Sequence, residues 1–364
     1  MSLLKLIVKT KNKKYPIIIG ENILKKTNYF FKSYIPNCKK IALIVDKNVP
    51  NAIGNALKKS LKNYEILFIK IHVNEKKKSF KTIESLLNRI LKKNFNRNDC
   101  IIALGGGILG DISGLTASLL KRGIRFVNVP TTLLAQVDSS IGGKTAVNLN
   151  LGKNLIGTFH QPDLVIADTL TLRSLPKREM VCGYAEILKH ALILDKKFFN
   201  WLNKKGKEII NLSNKNSVKK AIFLSCKIKS KIVQKDEKEK NLRQILNFGH
   251  TFGHAFEATK KFSKKLNHGE SVLLGIICAI KFSFKRKKEL ELIQNHYSSL
   301  DLPYKIKKFF RRKDIPKLIK FMKSDKKNYD KNIKLVLINQ IGKAAKPKSY
   351  SENKIKEFLL SILS

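Results

Sequence analysis

Short apolar runs alternate with amphipathic stretches along the first half of the chain. Runs that are short, apolar and rich in β-branched residues, as buried strands are, occupy residues 41–45, 66–71, 100–104, 126–129 and 164–167. Between them, residues 52–61 and 80–93 place apolar side chains at helical spacing. Apolar strands that alternate with helices predict a mostly parallel sheet covered on both faces.

The pattern changes after Leu175 and Pro176. Helical periodicity then dominates over residues 178–194, 217–234, 243–260 and 270–285, and the next strand candidate is 333–338. We therefore expect a boundary near residue 175. The predicted architecture is an α/β domain over residues 1–175 and a mainly α-helical domain over residues 176–364.

The formal net charge of +47 suggests a nucleic-acid-binding protein, because basic chains attract polyanions. The lysines, however, are spread from Lys5 to Lys356 and form no single stripe, and no zinc-finger spacing or RNP-like segment occurs. A solvated lysine-rich surface is therefore favoured, and no specific nucleic-acid partner is expected.

Cysteine usage and the longest apolar run bear on the compartment. The five cysteines are scattered and never form a C-x-x-C pair, which argues against a disulfide framework and fits a reducing compartment. The longest clearly apolar run, residues 272–280, is too short to span a membrane, and residues 1–10 lack the pattern of a signal peptide. We expect a soluble cytoplasmic protein without a membrane partner.

A glycine-rich turn follows the third predicted strand. Gly105, Gly107 and Gly110 satisfy G-x-G-x-x-G between a strand and a helix, where backbone amides can cradle a pyrophosphate. No acidic residue ends the next strand, so Asp46, after the first predicted strand, is the candidate ligand for a ribose diol. A tight turn that needs positive φ is the alternative use of these glycines. The phosphate cradle is favoured, which makes the first domain Rossmann-like and dinucleotide-binding.

Polar residues recur at helical spacing in the segment 243–260. They lie at i, i+4, i+7, i+11 and i+14, within a sector of about 80° if the segment is one helix, and are Arg243, Asn247, His250, His254 and Glu257. Apolar residues flank this stripe on both sides, so we do not expect it to be simply the solvent-exposed face of a surface helix.

Two further residues complete a candidate metal site. His268 belongs to a His-Gly-Glu tripeptide, and Glu186 lies on the helix predicted at 178–194. Two imidazoles and a carboxylate that leave one position open make a catalytic zinc-type site. A histidine pair at i, i+4 is by itself more often structural, but the Arg, Asn and Glu in register with it favour chemistry. The candidate ligands are His250, His268 and Glu186.

A polar loop between the two regions carries further candidate ligands. Gly-Gly-Lys-Thr at 142–145 resembles the end of a Walker P-loop, but no glycine lies five residues before Gly143, so an ATPase is excluded. The candidates for phosphate and hydroxyl contacts are Lys144, Lys153 and Asn154 and, at a strand end, Thr131 and Thr132. For any one of these residues an ordinary polar loop is the simpler explanation.

Taken in order, several motifs resemble the 3-dehydroquinate synthases of the shikimate pathway. They are Leu104-Gly-Gly-Gly-Ile-Leu-Gly-Asp111, Arg122-Gly123, Val129-Pro-Thr-Thr132, Val137-Asp-Ser-Ser-Ile-Gly-Gly-Lys-Thr145, Leu151-Gly-Lys-Asn154, Gly183-Tyr-Ala-Glu186, Lys229 with Asp236-Glu237, Leu246-Asn-Phe-Gly-His-Thr-Phe-Gly-His254 and His268-Gly-Glu270. They cover nearly the whole chain, and their combination is very specific.

The resemblance implies a one-site conversion of 3-deoxy-D-arabino-heptulosonate 7-phosphate to 3-dehydroquinate and phosphate. In that family, bound NAD oxidises the C5 hydroxyl, which acidifies C6 and permits phosphate elimination. The hydride then returns, the ring opens, and an aldol closure forms the carbocycle. The implied cofactors are NAD and one divalent metal, zinc or cobalt, and the implied assembly is a homodimer.

The resemblance also implies a role for each matched residue. Glu186, His250 and His268 would hold the metal. The implied catalytic and substrate-binding residues are His254, Asn247, Lys144, Asp138, Lys189, Asn154, Lys229, Arg243 and, across a dimer interface, Arg122. The implied NAD contacts are Asp46, Glu75, Lys78, Gly107, Ile108, Leu109, Gly110, Asp111, Thr131, Thr132, Lys144, Lys153, Thr171, Leu172, Arg173 and Ser174.

One stretch departs from the family pattern. Where that pattern has Asp-Gly-Glu-x-x-Lys-Ser, this chain has Val73-Asn-Glu-Lys-Lys-Lys-Ser79, so Asn74 replaces the glycine. Asparagine tolerates a left-handed turn, and Glu75 and Lys78 are kept. The affinity for NAD is the property that this departure affects.

Other functions remain open from the sequence. A related sugar-phosphate cyclase, such as 2-deoxy-scyllo-inosose synthase, would use the same cofactor and metal on a substrate without a carboxylate. A metal-dependent polyol or alcohol dehydrogenase would consume NAD stoichiometrically. A nucleic-acid-binding protein would bind with a steep salt dependence, but it would leave the polar stripe from Arg243 to Glu257 without a role.

Overall fold

The computed structural model describes residues 3–263, 265–283, 287–324 and 332–364. Its internal contacts divide the chain into two compact units. The first unit comprises Met1–Pro176 and Asn214–Lys238, and the second comprises Lys177–Ser213 and Glu239–Ser364. Within the described residues, no helix combines the length and the apolar character that crossing a membrane requires.

The regular elements are numbered in chain order. The strands are β1 (Leu4–Lys9), β2 (Lys14–Gly20), β3 (Lys40–Asp46), β4 (Glu65–Ile71), β5 (Cys100–Gly105), β6 (Arg125–Pro130), β7 (Lys144–Leu149), β8 (Gly152–Phe159), β9 (Leu164–Asp168), β10 (Ile333–Leu335), β11 (Ile338–Gln340), β12 (Lys343–Ala344) and β13 (Lys348–Tyr350). The helices are α1 (Thr27–Tyr34), α2 (Asn51–Ser60), α3 (Phe80–Leu91), α4 (Gly107–Leu119), α5 (Lys177–Leu194), α6 (Lys196–Ile210), α7 (Lys215–Lys235), α8 (His250–Thr259), α9 (His268–Ser283), α10 (Lys287–Ser299), α11 (Ile315–Ser324) and α12 (Glu352–Leu363).

A mostly parallel sheet forms the centre of the first unit. Its strand order is β1-β2-β9-β6-β5-β3-β4, with β1 antiparallel to β2 and the other neighbours parallel. The predicted strands are all present, as β3, β4, β5, β6 and β9, and the helices predicted between them are α2 and α3. The predicted α/β class of this part of the chain is confirmed.

Alternate residues of β3 belong to different hydrophobic clusters. Ile41 and Leu43 pack into one cluster with residues of α1 and α2, whereas Ala42 and Ile44 pack into another with residues of α3 and α4. Successive side chains of a strand point to opposite faces, so helices cover both faces of the sheet. The edge of the sheet that contains the carboxyl ends of its parallel strands is thereby left for ligands.

The first unit contains one helix that comes from the predicted second domain. The interval 176–364 was predicted as one domain, but α7 contacts β1 and β2, and Asn214–Lys238 belongs to the first unit. The backbone N–H of Lys9 also donates to Gln234 Oε1 at 2.9 Å. The reason lies in packing, because helical periodicity shows that one face is buried but does not show against which element.

The second unit is mainly helical, as predicted. Helix α5 packs on α6 and α9, and α8 packs on α9 and α11. The helices predicted at 178–194, 217–234 and 270–285 are α5, α7 and α9, although residues 284 and 285 lie outside the described part of the chain. The strand candidate at 333–338 is divided instead into β10, which pairs with β13, and β11, which pairs with β12.

The single helix predicted over residues 243–260 is wrong. A 3-10 helix spans Leu242–Asn247, Phe248 is extended with a ψ of 124°, and α8 begins only at His250. Gly249 between them has a φ of 78°, in the left-handed region that breaks a right-handed helix. The polar stripe is therefore divided between two elements, and only its last three members share a helix.

Candidate active site

The glycine turn of the first unit joins β5 to α4. The structure gives Gly105, Gly106, Gly107 and Gly110 no positive φ, so a left-handed turn does not explain them. Lack of space explains Gly107, because a Cβ on that residue would lie 2.8 Å from Ser139 Oγ. The turn leaves the N-terminus of α4 at the carboxyl edge of the sheet, where a helix favours an anion.

Residues from the neighbouring strands lie beside this turn. Asp46 ends β3, and its Cβ would be 3.2 Å from a Cβ built on Gly105. Burial raises the pKa of the Asp46 carboxyl above its ordinary value, although the Asn48 N–H opposes the shift. Thr131, just after β6, donates its N–H to the Gly105 carbonyl oxygen at 2.9 Å. We call Asp46, Gly105–Gly107 and Thr131 the cofactor edge.

A polar network joins the N-terminal half of α4 to the β7–β8 hairpin. Lys78 Nζ lies 2.5 Å from both Asp111 Oδ2 and Asn154 Oδ1. Lys153 Nζ lies 3.5 Å from Glu75 Oε1. Burial raises the pKa of Asp111, while the Lys78 ammonium opposes that shift. These five residues, separated by up to 79 positions between Glu75 and Asn154, were all predicted to be site residues, and the structure brings them together.

Asn74, the departure from the family pattern, does not adopt the left-handed conformation that its type allows. Its backbone is extended, with φ of −156° and ψ of 175°, and its side chain accepts the Lys77 N–H at 3.0 Å. Asparagine is a strongly preferred N-cap residue. The substitution therefore replaces the glycine with a side chain that caps the 3-10 turn Glu75–Lys77.

The 3-10 segment Thr169–Ser174 follows β9 and begins with a cap from the Asp168 side chain, which accepts the Leu170 N–H at 2.9 Å. Of the predicted NAD contacts here, the Thr171 and Leu172 side chains are buried and Arg173 and Ser174 are exposed. The Thr171 hydroxyl accepts from Gln136 Nε2 at 3.2 Å, so that hydroxyl is engaged inside the protein.

Helix α7 supplies a cation to the first unit. Lys229 Nζ lies 2.8 Å from Asp138 Oδ1 and donates to the Asp138 carbonyl oxygen at 2.6 Å. Two other predicted site residues of this unit, Lys144 at the start of β7 and Arg122 before β6, are exposed. The first unit thus carries predicted substrate residues as well as the cofactor edge.

In the second unit, a glycine contact brings α8 and α9 together. A Cβ on Gly275 would lie 2.1 Å from the Gly249 carbonyl oxygen and 2.7 Å from the Gly253 nitrogen. Backbone atoms cannot yield as a flexible side chain does, so only glycine permits this crossing. The contact sets the beginning of α8, and with it His250, close to α9.

The N-terminus of α9 is held against α5 in a similar way. A Cβ on Gly269 would lie 2.2 Å from the Cys182 Cα. Arg178 donates to both oxygens of Glu270, at 2.7 and 2.6 Å, in a bidentate ion pair. His268, which begins α9, is thereby brought to the face of α5 that carries Glu186.

Glu186, His250 and His268 form what we call the metal cluster. One potential ligand atom from each lies within 4.8 Å of the other two. Glu186 is 1% exposed, Lys189 Nζ contacts its Oε2, and neither carboxylate oxygen has a hydrogen-bond partner of ordinary geometry. Buried oxygens in that state fit a cation, and a carboxylate with two imidazoles is a donor set suited to zinc.

Contacts at the Nδ1 atoms of His250 and His268 orient the two imidazole rings. His250 Nδ1 lies 3.2 Å from the Phe248 carbonyl oxygen, which leaves Nε2 toward Glu186, at 3.5 Å from its Oε1. His268 Nδ1 lies 3.2 Å from Glu257 Oε2. Such partners fix the ring and its tautomer in metal sites. The sequence had placed Glu257 in the polar stripe without a role, and the structure supplies one.

The pKa values of His250 and His268 are shifted in opposite directions by their surroundings. Burial and the Lys189 ammonium hold the pKa of His250 well below its usual range. Burial also lowers the pKa of His268, but its hydrogen bond to Glu257 and the nearby carboxylates outweigh that effect and leave the pKa raised.

Of the other predicted residues of the second unit, His254 and Lys189 lie beside this cluster. The centroid of the His254 ring is 5.3 Å from that of His250 and 6.2 Å from that of His268. Lys189 and Arg243 are each 2% exposed. Asn247 Nδ2 donates to Glu239 Oε1 at 2.9 Å, a partner that the sequence reasoning did not identify.

Comparison with known proteins identifies the family to which the chain belongs. Residues 68–182 match the 3-dehydroquinate synthase N-terminal family, and residues 183–328 match the 3-dehydroquinate synthase C-terminal family. The chain belongs to the 3-dehydroquinate synthase family. The resemblance that the motifs indicated is thereby confirmed.

Two members of the 3-dehydroquinate synthase family illustrate the similarity. The 3-dehydroquinate synthase of Pelagibacter ubique (strain HTCC1062) is 53% identical over 363 residues, which cover 99% of this chain and 98% of the relative. That of Dictyoglomus thermophilum is 40% identical over 344 residues, 92% of each chain. The crystal structure of 2-deoxy-scyllo-inosose synthase with carbaglucose-6-phosphate, NAD+ and Co2+ is similar with a TM-score of 0.87, at 26% identity over 99% of both chains.

Proposed function

We propose that the chain is an NAD- and metal-dependent lyase that converts 3-deoxy-D-arabino-heptulosonate 7-phosphate to 3-dehydroquinate and phosphate, a step of the shikimate pathway. The observation that carries the proposal is the convergence of Glu186, His250 and His268 in a chain that is 53% identical to a 3-dehydroquinate synthase over nearly its whole length. Fold alone would not suffice, because one fold hosts many activities.

Two bound groups are part of the proposal, NAD and zinc or cobalt, which supply reversible hydride transfer and a Lewis acid. Glu186, His250 and His268 would hold the metal, and the buried carboxylate oxygens of Glu186, which lack hydrogen bonds of ordinary geometry, support this assignment. NAD would lie at the cofactor edge, where the N-terminus of α4 suits its pyrophosphate. Asp46 would accept hydrogen bonds from a ribose diol.

The remaining residues would bind and orient the sugar acid phosphate. Lysine and arginine suit its phosphate and carboxylate, and His254, close to both metal-cluster imidazoles, would move protons beside the reacting hydroxyls. The proposed substrate residues are Asp138, Lys144, Asn154 and Lys229 in the first unit and Lys189, Arg243, Asn247 and His254 in the second.

The alternatives receive less support. The 2-deoxy-scyllo-inosose synthase is 26% identical, about half the identity of the Pelagibacter enzyme. A polyol dehydrogenase would accumulate NADH, whereas the proposed reaction returns the hydride within each turnover.

One assay tests the proposal. The purified chain should release phosphate from 3-deoxy-D-arabino-heptulosonate 7-phosphate only with NAD and metal, without a steady growth of NADH absorbance. Exhaustive chelation or His250→Ala should abolish release, and zinc or cobalt should restore it only in the unsubstituted chain. Full activity of His250→Ala or of the chelated enzyme would reject the metal assignment, and release only from a hexose phosphate lacking the carboxylate would favour the cyclase alternative.

We also infer that the chain forms a homodimer. The exposed β7–β8 hairpin is the surface to which we expect the second copy to bind. Four of its apolar side chains, Leu151, Leu155, Ile156 and Phe159, are exposed, and exposed apolar surface is often covered by a partner. In a dimer, the exposed Arg122 would reach the substrate phosphate of the partner.

Analytical ultracentrifugation tests the dimer. The chain should sediment as a dimer at micromolar concentration, and Leu155→Lys with Ile156→Lys should sediment as a monomer. Leu360→Lys, a change at an exposed leucine of α12, is the control and should leave the dimer intact. A monomeric parent chain would reject the inference. A cytoplasmic location stays a prediction, supported by the five free cysteines.

A further inference from the structure

The pairing of the β7–β8 hairpin is irregular where Asn148 alone lies opposite residues 153–155 of β8. The strands pair regularly up to Val147 opposite Ile156, and the register shifts before Leu149 pairs with Gly152. Asn154, on the other strand of this irregular region, has a φ of 56°. Irregular pairings of this kind, in which one strand has extra residues, are frequent beside active sites.

The side-chain amide of Asn148 uses both of its ends. Nδ2 donates to Glu75 Oε2 at 2.8 Å and to the Glu75 carbonyl oxygen at 3.1 Å. Oδ1 accepts the Asn154 backbone N–H at 3.0 Å. The carboxylate can only accept and the backbone N–H can only donate, so these partners determine which way the amide faces.

The backbone of Asn148 makes a further contact, since its N–H donates to the Lys78 carbonyl oxygen at 2.7 Å. Lys78 Nζ in turn contacts Asp111 and Asn154. Asn148 thus bonds directly to Glu75, Lys78 and Asn154, all of which have a proposed role, while Asn148 itself has none.

We propose that Asn148 is a positioning residue of the dinucleotide site, which holds the Glu75 carboxylate in place for NAD and ties it to the hairpin backbone at Asn154. This inference rests on the proposed function, because NAD is the ligand concerned. The neutral amide at position 148 donates to a carboxylate and accepts from an N–H at once, which neither an alanine nor an ionised aspartate can do. An aspartate there would place two carboxylates at hydrogen-bonding distance, and an alanine would leave both partners without this contact.

The binding of NAD to the purified, metal-loaded chain tests the proposal by isothermal titration calorimetry. Asn148→Ala should raise the dissociation constant about tenfold, as expected for lost hydrogen bonds that include one to a charged group. Asn148→Asp should raise it further, because it adds repulsion from Glu75. Asn150→Ala, an exposed position in the turn of the same hairpin, is the matched control and should bind NAD like the parent chain.

A four-variant cycle separates positioning from a general loss of structure. In Glu75→Gln combined with Asn148→Asp, the glutamine amide can donate to the aspartate, which restores the hydrogen bond with reversed polarity. The fold loss of NAD affinity in the double variant should therefore be smaller than the product of the two single losses. A double-variant loss equal to that product would overturn the proposal, whatever the thermal midpoints of the variants.

The two hypotheses fail in different ways. If the parent chain binds no NAD, the proposed function is wrong. If the parent chain binds NAD, and Asn148→Ala and Asn148→Asp bind it equally well, only the role of Asn148 is wrong.

Discussion

At the scale of single residues, the metal cluster depends on a carboxylate that is not one of its ligands. Glu257 lies seven positions after His250 and contacts Nδ1 of His268, which directs the other ring nitrogen of His268 toward the proposed ion. Its register on α8, two turns after His250, places it beside α9.

Glu257→Ala should weaken zinc binding about 10- to 100-fold, because the His268 ring loses the partner that orients it. Glu257→Gln should cost less, since the amide oxygen can still accept from Nδ1–H. Zinc affinity, measured by competition with a chromogenic chelator, checks both. Glu291→Gln, an exposed change on α10, is the control, and equal affinity in all of these variants would contradict the role of Glu257.

His296 is a second residue with a distinct consequence. Its Nε2 lies 3.0 Å from the Tyr184 hydroxyl, and burial lowers its pKa to about 4 from 6.5. The unfolded chain therefore binds a proton below pH of about 6.5, whereas the folded chain does so only near pH 4. The neutral ring contributes its full stability above pH of about 6.5, and this is lost as the pH falls through that window.

The free energy of unfolding should fall by up to about 3 kcal/mol more in the parent chain than in His296→Gln between pH 6.5 and 4. The glutamine can still accept from the Tyr184 hydroxyl but has no proton to gain. Urea unfolding at several pH values provides the measurement. Parallel pH profiles for the two proteins would show that His296 does not titrate in this way.

At the scale of elements, the site of the second unit depends on how closely helices approach. Gly275 lets α9 touch the backbone of α8, and Gly269 lets its first turn touch α5. These two contacts bring His250, His268 and Glu186 from three helices to one point. The glycines of the motifs are thus as important to the cluster as its ligands.

Gly275→Ala should lower the free energy of unfolding by about 1–3 kcal/mol, because its methyl group would meet backbone atoms, and should also weaken zinc binding. Gly54→Ala is the matched control. It lies within α2 with no atom within 4 Å of the added Cβ, so it should stabilise the chain by about 0.5–1 kcal/mol. Chemical unfolding curves and zinc titrations check the pair, and a neutral Gly275→Ala would contradict the close crossing.

At the scale of the whole molecule, the charge of +47 is a cost to the folded state. Like charges on a compact surface repel one another more than in an expanded chain. Salt screens this repulsion, and the Debye length falls from roughly 20 Å at about 0.02 M to roughly 6 Å at about 0.3 M.

The thermal midpoint should accordingly rise by several degrees between these salt concentrations. The triple variant Lys58→Glu, Lys59→Glu and Lys62→Glu, on the exposed part of α2 and the turn after it, should melt higher than the parent at low salt and depend less on salt. Differential scanning fluorimetry in sodium chloride checks this. A midpoint that is flat or falls with salt would mean that repulsion is not a significant term.

The local pattern determined much of this protein. Apolar β-branched runs predicted β3, β4, β5, β6 and β9, since strands buried on both faces leave a signal that no solvated element shares. The residue types of the metal cluster were also visible in the sequence, and the structure brings these three residues together, while their role as metal ligands stays a prediction.

Tertiary structure alone decided the rest. The break at Gly249, the return of α7 to the first unit and the network around Asn148 each depend on contacts between segments distant along the chain. A periodicity reports that a face is buried, but it does not report which element covers that face. For this reason the chemistry of the residues could be predicted from the sequence, whereas their partners, and the distances that allow that chemistry, arose only in the folded chain.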